Sequence, residues 1–215
     1  MSKNCFIDTC VFFAFASPFP FEPFNQVCAD FFQKGYNYHT GKRVIKELDN
    51  RWRRRQKVYE DLSKMKDSVT LDQILSMKLN ANDEKHFCGV IGFLVANYPK
   101  HIVLSQLRDM QRVIGKGLEE GKKKITLPYI DEFDDNISYA FLAYTQNEND
   151  ALILTDALCW SEKRWAEEKS FTIFGTLDYN DLITKLPDII KVICNTRDCE
   201  ENEIPLQICS ILTIN

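Results

Sequence analysis

The chain has 215 residues, with 27 Lys plus Arg against 31 Asp plus Glu and a formal net charge of −4. That balance supplies no global basic field, so any polyanion must be held by a local patch or through a metal ion. Its 45% hydrophobic content, with 15 Phe, is enough to fill one sizeable core, which favours a single domain spanning 1–215 with insertions over two separate domains.

Cys5-Phe6-Ile7 reads as a buried strand and is followed at once by Asp8. The aromatic stretch over residues 12–24, broken by Pro18, Pro20 and Pro23, cannot continue as one helix or central strand and reads as a hydrophobic elbow or loop. A helix over residues 26–33 and a β-prone segment over 36–39 come next. Thr40 then stands as an N-cap for a helix with Val44, Ile45, Leu48 and Trp52 on one face. Strand, helix, strand, helix is the rhythm of a parallel sheet with crossover helices.

Residues 51–121 carry helical spacing, with Leu71, Ile74 and Leu75 in one piece, residues 87–98 in another, and Val103, Leu107, Met110 and Ile114 in a third. This block reads as an inserted α-helical subdomain. Sheet logic resumes with Ile125-Thr126-Leu127 as a short strand ended by Pro128, then a helix opening at Asp134 with Ile137, Phe141 and Tyr144 on its inner face. Residues 151–155 read as a strand ending at Asp156, followed by a helix through Trp160 and Trp165 and a strand over 171–174. The segment 187–215 is too apolar to be disordered and is expected to pack on the core as a C-terminal extension.

The eight cysteines include no Cys-x-x-Cys pair and only three His are present, which argues against structural zinc. Asp8 interrupts the only early apolar stretch, so no secretory signal is expected, and reduced thiols in a cytoplasmic protein are the simpler account. The longest mostly apolar run, residues 87–98, falls short of the ~20 residues needed to cross a bilayer, so no membrane segment is expected. His39, His86 and His101 show no nucleophile–base arrangement.

Asp8, Glu47, Asp134 and Asp156 lie where the ends of separate segments would bring them together, and ligands of open parallel sheets collect beyond the carboxyl ends of strands. Each has an ordinary reading as well. Asp134 caps a helix well, Asp8 and Asp156 suit strand-ending turns, and Glu47 stands four residues before Arg51 as an i,i+4 pair. Asp135 replaces Asp134 if the helix begins one residue later. Thr9 and Thr155 stand beside two of the acids and suit hydrogen bonding to carboxylates.

Phe6-Ile7-Asp8-Thr9, Glu47-Leu48, Asp134-Asp135-Asn136-Ile137 and Leu152-Ile153-Leu154-Thr155-Asp156, in that order, resemble the motifs of the PIN-domain nucleases. The resemblance covers about residues 5–48 and 125–182. It implies a three-layer α/β sandwich, a parallel sheet flanked by helices on both faces. It also implies acidic residues, here Asp8, Glu47, Asp134 or Asp135, and Asp156, binding one or two Mg²⁺ or Mn²⁺ ions for phosphodiester hydrolysis. Such nucleases act most often on RNA, which is the expected substrate, with single-stranded DNA next; an inhibitory protein partner and a homodimer are open expectations that the resemblance does not carry over.

The basic run Arg51, Arg53, Arg54, Arg55 and Lys57 would set phosphate-binding charge at one rim of such a site, or form a solvated helix face. Trp52 within it suits base stacking or core packing. Three other readings compete. A haloacid-dehalogenase-like phosphatase needs a second Asp two residues after the first, and Cys10 stands there. A nucleotide-binding loop fits no better, since the glycines and lysines over 115–123 miss the spacing of a phosphate loop and no Gly-x-Gly-x-x-Gly is present. A catalytically silent PIN-like module that binds RNA or protein is the rival of another class.

Overall fold

The computed structural model describes residues 3–18, 22–65, 69–126, 130–131, 133–145 and 147–214. Among them the chain is α/β, with one four-stranded, all-parallel sheet. β1 (Asn4–Ile7) lies between β2 (Asn37–His39) and β3 (Thr172–Thr176), and β4 (Leu206–Ser210) pairs with the far side of β3, giving the order β2-β1-β3-β4. Every residue of β1 is buried, as a central strand covered on both faces requires.

Strand alternation sorts the two faces. Phe6 and His39 stand in register on one face and meet Trp160 at 6.2 and 4.0 Å between ring centroids, so α8 (Glu148–Glu168) covers that side. Tyr38, in register with Cys5 on the other face, meets Phe31 of α2 (Asn25–Phe31) at 5.5 Å. Fully burying a side chain such as Phe6 contributes about 1.5–3 kcal/mol, which makes these layers the main source of cohesion.

α1 (Thr9–Ala16) occupies the first part of the aromatic segment that the prolines suggested was a loop. Val11, Phe12 and Phe13 are buried on it, and it stops at Ser17, whose backbone turns extended because a residue before proline avoids the helical region. Residues 19–21, including Pro20, lie outside the described residues. α3 (Lys42–Ser63) begins from Gly41 as its cap, not from Thr40; the Thr40 hydroxyl instead donates to Ile7 O at 2.8 Å and ties β1 to this turn.

The helical block comprises the rest of α3, α4 (Leu71–Ser76), α5 (Ala81–Asn97) and α6 (Lys100–Lys123). Asp83 of α5 is buried against Arg55 of α3 at 2.8 Å, and Tyr59 packs edge-on to Phe87 at 4.8 Å, which fastens α5 to α3. α6 lies so close to α1 that a Cβ on Gly117 would stand 2.6 Å from Ala16 Cα.

The expected strand at 125–127 is not formed at Ile125 and Thr126, while Leu127 and Pro128 lie outside the described residues. The segment still runs beside the sheet, for Thr126 N–H donates to Tyr38 O at 2.9 Å and Ile130 makes a parallel bridge to Gly41. α7 (Asp135–Thr145) buries Ile137 and Phe141 but leaves Tyr144 exposed. Residues 151–155 are not a strand: they belong to α8, which is buried nearly all round between sheet and α7, so its sequence shows a run and no stripe. Past α8 come β3, a π-turn at Tyr179–Ile183 and α9 (Leu186–Arg197), and the last segment supplies β4 as part of the sheet itself. No helix among the described residues is long and apolar enough to cross a membrane.

Candidate metal centre

Acidic side chains gather beyond the carboxyl ends of the two central strands. Asp8 follows β1 directly and caps α1; its Oδ1 accepts from Thr9 N–H at 2.6 Å. Its Oδ2 accepts from the Thr176 hydroxyl at 2.7 Å and from the Cys10 thiol at 3.0 Å. Burial, then the Asp8 charge, pushes the Cys10 thiol well above its ordinary range, so it stays a neutral donor. Thr9 donates through its hydroxyl to Glu47 Oε2 at 2.9 Å, so one residue orients two acids. Glu47 Oε1 is met by Arg51 at 2.7 Å; desolvation raises the Glu47 carboxyl, opposed by Arg51 and assisted by Asp8.

β3 ends at Thr176, and the chain continues through Leu177 to Asp178 and Asp181. Asp178 Oδ1 accepts from Asp181 N–H at 2.9 Å and thereby caps the π-turn. Asp150 enters from the first turn of α8, whose cap is Asn147. One carboxylate oxygen from each of Asp150, Asp178 and Asp181 lies within 4.8 Å of the others. Asp150 Oδ2 is buried with no hydrogen-bond partner among the described residues. Desolvation first, then the charges of Asp8, Asp178, Glu47 and Asp181, raises Asp150 from 3.8 to about 7. Burial likewise raises Asp178, with Asp181 and Asp8 adding to it. Five carboxylates from distant stretches of chain therefore share one neighbourhood.

No family model, curated protein or solved structure matches the chain.

Of the acids singled out in the sequence, Asp8 and Glu47 stand in this neighbourhood and Asp134 and Asp156 do not. Asp134 caps α7, accepting from Asn136 and Ile137 N–H at 3.0 and 3.2 Å, and its other oxygen binds Arg197 at 2.8 Å. That guanidinium holds the Asp134 carboxyl below its usual range. Arg197 also grips Glu162 at 2.7 Å, so Asp134 belongs to a clamp joining α7, α8 and α9. Asp135 is exposed in the first turn of α7. Asp156 lies six residues past Asp150 on α8, a helical offset of roughly 240° around the axis and 9 Å along it, so it looks elsewhere. It is fully buried, 3.4 Å from Arg43 and packed under Gly41, where a Cβ would stand 2.8 Å from its Oδ2. Thr155 donates to Ala151 O at 2.8 Å within its own helix and meets no carboxylate in that bond.

The basic run divides too. Arg55 is buried between Asp83 and the Phe13 ring, 4.7 Å from its centroid, out of reach of a phosphate. Arg53 and Lys57 are exposed on α3, while Arg51 and Arg54 face a groove beside Glu47. Trp52 packs against Gly115 of α6 rather than standing free for a base.

The three acids that the sequence reading leaves out carry legible signals. Asn147-Glu148-Asn149-Asp150 before an apolar run is an N-cap with an acidic first turn, the mark of a helix start. Asp178 and Asp181 lie just beyond the carboxyl end of a recognised strand.

Proposed function

We propose that the chain is a divalent-metal-dependent nuclease of PIN-like kind, acting on RNA as an endoribonuclease. The single observation that carries this reading is the convergence of Asp8, Glu47, Asp150, Asp178 and Asp181 at the ends of the central strands. The donor set is all carboxylate oxygen, which suits Mg²⁺ or Mn²⁺ better than the softer metals that favour sulfur and imidazole. Asp150 Oδ2, buried without a hydrogen-bond partner among the described residues, is a ligand atom in want of a cation.

In this reading Asp150, Asp178 and Asp181 would hold the ion, with the Asp8 charge close by. When bound, the ion supplies charge neutralisation for a scissile phosphodiester and lowers the pKa of water. Thr9, Thr176 and Cys10 keep Asp8 and Glu47 aimed, and Asp150 would have to be ionised to serve as a ligand. One observation favours a silent RNA- or protein-binding module instead: Arg51 already neutralises one oxygen of Glu47.

The deciding experiment incubates the purified chain with single-stranded RNA and single-stranded DNA, with Mn²⁺ or with chelator. Cleavage of RNA that requires Mn²⁺, and that disappears in Asp150→Asn and Asp178→Asn while RNA binding persists, is the expected result. RNA left intact in Mn²⁺ by the wild-type chain overturns the nuclease reading.

A further inference from the structure

A groove of about 410 Å³ opens beside the acidic neighbourhood, with Glu47, Arg51 and Arg54 of α3 on one wall. Asn80 and Asn82, at the start of α5 in the helical block, form a second wall, and Asn149 of α8 stands on a third. Its volume falls within the roughly 300–1,000 Å³ of small-ligand pockets. Its lining is amide and charged, with Glu47 paired to Arg51 and Arg54 beside them, unlike an apolar cleft for a lipid or a helix face. Glu47 lines this groove and is tied through Thr9 to Asp8, and Asn149 of the groove immediately precedes Asp150, so the groove borders the candidate metal centre.

The groups facing the groove suit a nucleotide. Arg54 has a side chain 54% exposed, and its contact to Asp83, at 3.3 Å, is secondary because Arg55 already holds that carboxylate at 2.8 Å. Its guanidinium is thus available to a phosphate without unfastening α5. The exposed Asn82 and Asn149 each bring an amide with a donor and an acceptor, the pair of functions that reads a base edge. Asn80, by contrast, spends its side chain on Asp83, accepting from its N–H at 2.9 Å.

We infer that this groove binds the nucleotide flanking the scissile phosphodiester of single-stranded RNA. Arg54 contacts the phosphate, and Asn82 and Asn149 select the base. The inference rests on the nuclease reading for the word scissile, but the binding site itself does not. The helical block thereby acquires a chemical role, since α5 brings Asn82 to the edge of the metal centre and sets where the strand is cut.

The test uses the full chain and labelled single-stranded RNA oligonucleotides in chelator, so that binding is read without cleavage. Arg54→Ala is expected to weaken binding about tenfold. It should also flatten the slope of log K against log salt by about 0.7, the loss of one single-strand phosphate contact. A purely structural role would not move that slope. Asn82→Ala and Asn149→Ala should shift the base preference of binding, and of Mn²⁺-dependent cleavage on a randomised RNA, with melting temperatures held. Unchanged affinity, salt slope and base preference in all three variants overturns the groove, as does a wild-type chain that binds no RNA. If the variants weaken binding as expected but the wild-type chain cuts nothing in Mn²⁺, the groove stands and the nuclease reading falls.

Discussion

The Thr176 hydroxyl donates to Asp8 Oδ2 at 2.7 Å and joins the ends of β3 and β1 at the acidic centre. The same hydroxyl oxygen accepts from Asp178 N–H at 2.9 Å, so one side chain sets both the direction of Asp8 and the exit of the chain toward Asp178. Thr176→Val removes the hydroxyl at nearly constant volume. It should cost on the order of 1 kcal/mol of stability and weaken Mn²⁺ affinity about 10–100-fold, whereas Thr176→Ser keeps both. Calorimetric titration of Mn²⁺ into the three proteins checks this; equal affinities would remove Thr176 from any role at the site.

Asp150 should make the metal-free protein lose stability as pH rises toward neutrality. Its carboxyl ordinarily titrates at 3.8 and in the fold near 7, so between those values the native chain holds a proton that the unfolded chain has lost. Stability in chelator should therefore fall as pH rises through that window, because the native state binds more protons there. Asp150→Asn should flatten this dependence and raise stability at pH 8 by about 1–3 kcal/mol, since each tenfold change in proton affinity corresponds to about 1.4 kcal/mol before discounting for solvent screening. It should also abolish the thermal stabilisation by Mn²⁺, which in the wild-type chain should be larger at pH 8 than at pH 5. Melting curves across pH, with and without Mn²⁺, read all three.

Asp134 and Asp156 should behave as structural acids. Asp134→Ala loses a helix cap and its bond to Arg197, a cost of about 1–2 kcal/mol. Asp156→Asn weakens a buried contact to Arg43, at about 1–3 kcal/mol. Both variants should keep the Mn²⁺-induced rise in melting temperature and any RNA cleavage. Loss of either at full stability would return that residue to the metal centre.

How far the sequence discloses this arrangement depends on which signal each element carries. The strand before Asp8 is legible because its apolar run is too short for a buried helix and ends at once at an acid, and the helix bearing Glu47 because its apolar residues keep a one-sided stripe. Residues 151–155 mislead because α8 is enclosed on most sides, so Ala151, Ile153, Leu154, Ala157 and Leu158 are all buried and helical spacing disappears. Taken as a strand, that run points to the acid at its end, Asp156, and away from Asp150 at its beginning. Asp178 escapes notice for a different reason: β3 runs to Thr176, two residues beyond where its apolar sequence stops, so the sequence sets the acid farther from the strand than the structure does.

Gly117 allows α6 to lie against α1, with Ala16 opposite it. A Cβ there would meet backbone at 2.6 Å, an overlap that no side-chain rotation relieves. Gly117→Ala should destabilise by about 1–3 kcal/mol through overpacking, despite alanine's better helix propensity. Chemical denaturation measures this; a more stable variant would mean that α6 shifts readily along α1.

The bond between Thr176 and Asp8 joins residues 168 positions apart. Synthesis makes Asp8 well before the residues that complete its surroundings, and such distant contacts form slowly because their loops must close first. During translation Asp8 therefore waits for the Thr176 hydroxyl and the acids that follow it. The pocket can mature only once β3 has been made and docked beside β1, so in the nuclease reading no RNA would be cut before that docking.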